Sequence, residues 1–238
     1  MRTSRRTLPR RSPVRCYARP VTFEQLRADL DQRGFGPELV LLPDEQPVGP
    51  PLEGALQVAN HDDAFDVLCI DYGQPRVVAT APDASAVSQA LLEFLDRPIP
   101  PVLTMDPSEV SAIETRLAPY YPQLRDQIAA RGGASLIQLP PGILVDRIGA
   151  LDGWLLTQLN ASFESRSLPP TALREPSGVH QFVTEATVLV RASIVPAWFG
   201  QPGGAIRYAI ADETMTIRDL LVEGSLRRVS VPVEAQTP

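Results

Sequence analysis

The sequence predicts an α+β fold: a small α+β N-terminal module over 20–98, a helical connector, and a compact α+β C-terminal domain over 134–233 with a small mixed or antiparallel sheet. Three observations predict it. Apolar residues fall at helical spacing in a few short stretches, β-rich runs are cut by Pro/Gly turns, and no sustained strand–helix–strand alternation points to a parallel array. With 238 residues, 44% of them apolar, the chain is long enough for two modest cores.

Thr22 followed by Gln25 makes a capping box, and Phe23, Leu26 and Leu30 share a helical face before Gly34 ends the run. Residues 38–42 read as a strand, and PDEQPVGPPLEGA after them reads as a loop. Runs 64–71 and 76–80, joined by Tyr72-Gly73-Gln74-Pro75, suggest a hairpin, and Val87, Leu91 and Phe94 give a second helix face. The module order is therefore helix, strand, hairpin, helix. His61-Asp62-Asp63 reads as a solvated turn rather than a metal cluster. Pro98-Ile99-Pro100-Pro101 marks the boundary, and 99–133 is a Pro-rich linker with two helices, one capped by Asp106-Pro107 and one ending at Gly132-Gly133. Beyond it, Pro/Gly turns divide β-rich runs at 143–147, 182–191 and 205–210. A helix at 217–223 and a last strand at 229–233 follow.

Composition excludes several chemistries. All 22 basic residues are arginine, so Schiff-base lysines and a P-loop lysine are absent. Seven arginines and no acids occupy 1–19, which reads as a disordered basic tail; 234–238 reads as a second tail. The remaining fifteen arginines face 28 acids, which argues against a nucleic-acid surface. Cys16 and Cys69 suggest reduced thiols, and no metal-ligand spacing joins them to His61 or His180. Neither a Sec-type signal peptide nor a membrane span is read, which points to the cytoplasm unless a specialised system exports the chain.

The C-terminal half carries three islands in order: LPPGILVDRIG at 139–149, ESRSLPP at 164–170 and WFGQPGG at 198–204, with RDLLVEGSL at 218–226 after them. In the last island two aromatics enter a Gly/Pro turn that presents one uncharged amide. Together they resemble the TNT domain, the NAD glycohydrolase module named after the tuberculosis necrotizing toxin, over about 134–233. The resemblance implies a bacterial toxin-like hydrolase that releases nicotinamide from NAD, and often NADP, without a metal or further cofactor. It implies Arg147 and Arg166 on the dinucleotide, Gln201 at the scissile ribose, and His180 nearby, although two residues are inserted before it. Gln201 and Arg147 are the catalytic candidates; Arg166, Trp198, Phe199, Trp154 and His180 are the substrate-binding ones. A proteinaceous inhibitor is the implied partner. Where the family usually has an aromatic this chain has Leu155, with Trp154 one position earlier, and one residue along a strand reverses the face.

The chemistry suits these residue types. Arginine forks match phosphate oxygens bidentately. The nicotinamide–ribose bond breaks through an oxocarbenium-like state, and its leaving group departs as a neutral base, so no general acid is needed. Plainer roles exist for each residue: Arg147 beside Asp146 and Arg166 beside Glu164 as surface ion pairs, Trp198 and Phe199 as core, His180 as a strand-edge residue. Two other functions fit the same chain. A mono-ADP-ribosyltransferase needs an acceptor-activating glutamate, for which Glu164 or Glu185 is available without a recognisable motif; a partner-binding or regulatory protein of the same fold needs no catalysis.

Overall fold

The computed structural model describes residues 21–47, 49–173 and 178–231. Both tails and Cys16 lie outside them. Helix α1 (Phe23–Gln32) starts at the expected capping box, with Thr22 and Gln25 each satisfying the other's backbone N–H, and buries Leu26 and Leu30. Strands β1 (Val40–Leu41), β2 (Ala55–His61), β3 (Ala64–Asp71) and β4 (Gln74–Ala81) form a mixed sheet in that order, β1 parallel to β2 and the rest antiparallel. Helix α2 (Ala84–Leu95), capped by Asp83, buries Val87, Leu91, Phe94 and Leu95 against it.

Strand β2 departs from the expected order. Its sequence ALQVANH has one β-branched residue and follows a Pro/Gly-rich passage, so it carries little local strand signal. Pairing along its whole length with β3 supplies what propensity does not. The β3–β4 turn is tighter than expected: only Tyr72 and Gly73 lie between the strands, with φ +50° and +66°. Positive φ at both central residues is the signature of a type I′ turn, whose twist matches that of the flanking strands.

The second sheet has eight strands in the order β5 (Leu103–Thr104), β12 (Leu226–Ser230), β9 (Gly178–Thr184), β7 (Leu144–Gly149), β8 (Leu155–Gln158), β11 (Ile206–Ile210), β10 (Val188–Ile194) and β6 (Ala134–Leu139). It is mixed, because β5 runs parallel to β12 while all other neighbours are antiparallel. The run expected at 182–191 is two strands, β9 and β10, since Thr184-Glu185-Ala186-Thr187 turns without a Gly or Pro to mark it. The last strand begins earlier than expected, at Leu226, because Gly224 at φ +82° ends α6 (Ile217–Val222). Helices α3 (Pro107–Leu117) and α4 (Tyr120–Ala130) are where the connector was expected to have them, and α4 packs on β10 and β6.

Both parts share one core. Leu56, Val67, Cys69, Leu91 and Phe94 from the N-terminal part form a single buried cluster with Val145, Trp154, Leu156, Phe182 and Tyr208. Each such side chain contributes about 1.5–3 kcal/mol on removal from water, so separating the parts exposes a large apolar area. A smaller cluster, Met105, Val110, Leu144, Val183, Val229 and Val231, lies on the other side of the large sheet. Among the described residues, no helix is long and apolar enough to cross a membrane.

Candidate functional site

Strand alternation puts Asp146 and Arg147 on opposite faces of β7. Arg147 shares its face with the core residues Val145 and Leu156, and with His180, its partner in β9. There it meets the N-terminal part. Its Nη1 and Nη2 donate to the Asp71 carboxylate at 3.0 and 2.6 Å, its Nε donates to the Ala150 carbonyl at 2.6 Å, and Nη1 also donates to the Leu155 carbonyl. Asp71, at the end of β3, accepts in addition from the backbone N–H groups of Trp154 and Leu155. Arg147 and Asp71 are both almost completely buried, so this is an interior ion pair rather than a surface one.

The close approach is made possible by glycine. A methyl group on Gly153 would overlap the Asp71 carboxylate and the Arg147 guanidinium, and one on Gly54 would overlap Arg147 Nη2. Glu53 completes this junction, its Oε2 accepting from the Tyr72 N–H at 2.6 Å. Burial first, and then the Asp71 charge, push the Glu53 carboxyl up to about 7. A folded-state value above the unfolded one means that Glu53 contributes stability below the usual carboxylate range and loses it as pH rises through about 7. Glu53→Gln is therefore expected to flatten the fall in Tm between about pH 4.5 and pH 7, a component on the order of 3 kcal/mol in wild type; a thermal-melt series over pH checks it.

Arg166 occupies the other side of the sheet. It ends the short helix α5 (Phe163–Arg166), and its Nη1 and Nη2 meet the two Asp146 oxygens at 2.6 and 2.7 Å in a bidentate fork, with Nε on the Ala161 carbonyl. Its partner is thus Asp146, not the adjacent Glu164. Arg166 and Arg147 do not converge: each fork is filled by its own aspartate, on opposite faces of β7. A third buried pair, Arg218 with Asp152, ties α6 to the β7–β8 connection.

The structure does bring the GQPG turn and the RSLPP segment together. Trp198 and Gln201 exchange both backbone hydrogen bonds, at 3.1 and 2.8 Å, around Phe199 and Gly200, both at positive φ. Phe199 holds that conformation at a cost of about 1 kcal/mol, which glycine would not bear. At Gly203 a side chain would collide with the carbonyls of Val195 and Pro196. The N–H groups of Gly203 and Ala205 donate to the Glu164 and Ser165 carbonyls, fastening the turn to α5. Gln201 Nε2 donates to the Leu168 carbonyl at 3.0 Å, and Arg125 from α4 donates to the Gly204 carbonyl at 2.7 Å.

Three polar atoms at this junction, Ser167 Oγ, Thr171 Oγ1 and Gln201 Oε1, are buried without a hydrogen-bond partner among the described residues. Ser167 is fully buried and sits in the left-handed region at φ +47°. A buried hydroxyl or amide oxygen left unpaired costs about 1–3 kcal/mol, so the junction carries unmet hydrogen-bonding capacity. Trp198 and Phe199, candidate substrate contacts whose plainer reading from sequence is core, are 47% and 46% exposed and stacked on each other at 4.3 Å between centroids.

Trp154 is buried in the shared core with the Arg76 guanidinium over its ring, while Leu155 follows on the opposite face of β8. His180 lies on an interior strand, between β12 and β7, rather than at an edge. Its Nε2 is 3.1 Å from the Gly149 carbonyl, and burial together with the Arg147 charge holds its pKa below the usual value, so the ring is neutral near pH 7. It faces a cleft of about 220 Å³ at the seam of the two parts, away from Gln201's turn. Asp71 and Tyr72 are the residues that the sequence reading missed, and Asp146, read as the neighbour of Arg147, pairs with Arg166 instead. No local pattern announces them, since Asp71 and Arg147 are 76 positions apart.

Comparison with known proteins follows the same division of the chain. Residues 138–229 match the family model described as Tuberculosis necrotizing toxin, TNT. Over 97 residues the chain is 33% identical to the conidial surface nicotinamide adenine dinucleotide glycohydrolase of Aspergillus fumigatus, covering 38% of this chain and 40% of that relative's length. Among solved structures, tuberculosis necrotizing toxin complexed with its immunity factor IFT is 28% identical with a TM-score of 0.35, over 40% of this chain and 55% of that one. Tse6 in complex with Tsi6 is 16% identical with a TM-score of 0.30, over 53% of this chain and 99% of that one. The matched interval contains all three islands, and α1 through α4 lie outside it.

Proposed function

We propose that the chain hydrolyses the nicotinamide–ribose bond of NAD to nicotinamide and ADP-ribose, and that of NADP to nicotinamide and 2′-phosphorylated ADP-ribose. The observation that supports this most is the knot inside the family-matched interval: the GQPG turn fastened to α5 and the RSLPP segment, with Gln201 Oε1 and Ser167 Oγ awaiting donors or acceptors. A ribose hydroxyl or the attacking water supplies the missing donor to Gln201. The Leu168 carbonyl fixes the orientation of that amide, so its oxygen is aimed before substrate arrives, and a preoriented dipole stabilises developing positive charge without reorganisation. The exposed Trp198–Phe199 pair offers a flat apolar wall for an aromatic base.

In the step itself, the C1′–N bond breaks with its electron pair leaving on the pyridine nitrogen, which becomes neutral. Water adds to the ribosyl cation and loses a proton to solvent. In this reading Arg147 and Arg166 act through structure: their forks fix the two ends of the β7–β8–α5 segment on which the knot is built. An inhibitory protein partner belongs to the same proposal, because a chain that consumes NAD endangers the cell that makes it. The test is to incubate the purified chain with NAD and follow nicotinamide release with and without an acceptor protein. Acceptor-independent release supports hydrolysis; release only with acceptor present supports ADP-ribosyl transfer; none supports a binding role.

A further inference from the structure

We propose that the N-terminal part completes the substrate site: Tyr72, on the β3–β4 turn, seats the Arg207 guanidinium as the cation that receives a phosphate of the dinucleotide. The proposal rests on the NAD reading for its ligand and on separate geometry for its residues. Arg147, Arg166, Arg218 and Arg227 donate to carboxylates, and Arg125 and Arg228 donate to backbone carbonyls. Arg207 has neither kind of partner among the described residues. Its guanidinium lies over the Tyr72 ring, 4.9 Å from the centroid.

That leaves its hydrogen-bond donors unspent while the ring limits its freedom, the condition in which arginine takes a phosphate bidentately. Tyr72 is held from three directions. Its N–H donates to Glu53, its hydroxyl donates to the Arg166 carbonyl, and its chain neighbour Asp71 is locked to Arg147. The left-handed backbone at Tyr72 is what turns the ring away from Asp71 and toward α5.

Placement agrees with the chemistry. Directly paired residues share a sheet face, so Asp146, Thr157 and Arg207 form one row across β7, β8 and β11. Two strand spacings separate Asp146 from Arg207, roughly 10 Å, and Arg166 cancels the Asp146 charge at its own position. The row's unpaired charge is therefore that of Arg207. It stands at the start of the strand that leaves the Gln201 turn, where Ala205 is tied to α5. A dinucleotide whose nicotinamide ribose meets Gln201 carries its diphosphate directly beyond that ribose, toward this cation.

The test uses the full chain with two readouts: steady-state NAD turnover, and calorimetric titration with ADP-ribose, which binds without being consumed. Arg207→Gln is expected to raise KM and weaken ADP-ribose binding about 10- to 100-fold with kcat changed less than about threefold, the pattern of lost ground-state binding. Arg207→Lys retains part of the affinity, Tyr72→Leu shifts it in the same direction as Arg207→Gln, and Tyr72→Phe, which keeps the ring, shifts it little. Arg33→Gln, an equal change in charge at the C-cap of α1, leaves binding at the wild-type value. Unchanged ADP-ribose affinity in Arg207→Gln overturns the proposal, as does a Tyr72→Leu variant that melts earlier yet binds normally. Arg207-dependent ADP-ribose binding without nicotinamide release keeps the phosphate site and removes the hydrolysis reading. Nicotinamide release indifferent to Arg207 does the reverse, and neither binding nor release overturns both.

Discussion

Replacing Asp71 with alanine is expected to destabilise the whole molecule by about 3–5 kcal/mol, because it strands the Arg147 guanidinium, almost wholly buried, without its counter-charge. The same substitution orphans the N–H groups of Trp154 and Leu155. For a chain of this size that loss lowers Tm by roughly 10 °C or more, since a domain's total stability is about 5–15 kcal/mol. Both parts should melt together, as one core spans them. Asp71→Asn combined with Arg147→Met is expected to recover more than half of the loss: the amide oxygen still accepts from the two backbone groups, and no charge is left buried alone. Chemical denaturation of the two single variants and the double variant measures this directly. Additive losses would mean that the pair does not act as a unit.

Gln201→Ala is expected to lower nicotinamide release about 10²- to 10³-fold, the usual cost of removing one preoriented dipole from a developing charge, with KM nearly unchanged. Stability should hardly move, because Gln201 is only partly buried and the turn is fastened to α5 by backbone bonds that alanine retains. Loss of activity with an unchanged melt assigns the effect to chemistry. A matching drop in Tm would assign it to collapse of the turn.

Local signals were legible in the sequence. The Thr22 box, the Asp106-Pro107 start, the Gly132-Gly133 stop and the Gly/Pro turns each act within a few residues, and the structure has them where they were expected. The three islands were legible as well, and the matched interval contains them. What the sequence did not disclose is set by long-range pairing. β2 is a strand because β3 lies beside it, and Arg147 is interior because a hairpin tip from the N-terminal part delivers Asp71 to it. Which carboxylate an arginine meets depends on which strand face the pair occupies, and adjacent residues such as Asp146 and Arg147 take opposite ones. For the Trp198–Phe199 pair the sequence left core and contact roles both open: burial of aromatics is a tendency of composition, while their exposure here follows from two left-handed residues in a tight turn.

The measurement closest to the central claim is a product assay on the intact chain: NAD alone, with nicotinamide and ADP-ribose quantified together over time, for wild type and Gln201→Ala. The account predicts both products in equal amounts, no requirement for added protein, and near-complete loss in a Gln201→Ala variant that melts like wild type. Intact NAD after prolonged incubation with folded wild-type protein, or release that persists in Gln201→Ala, would contradict it.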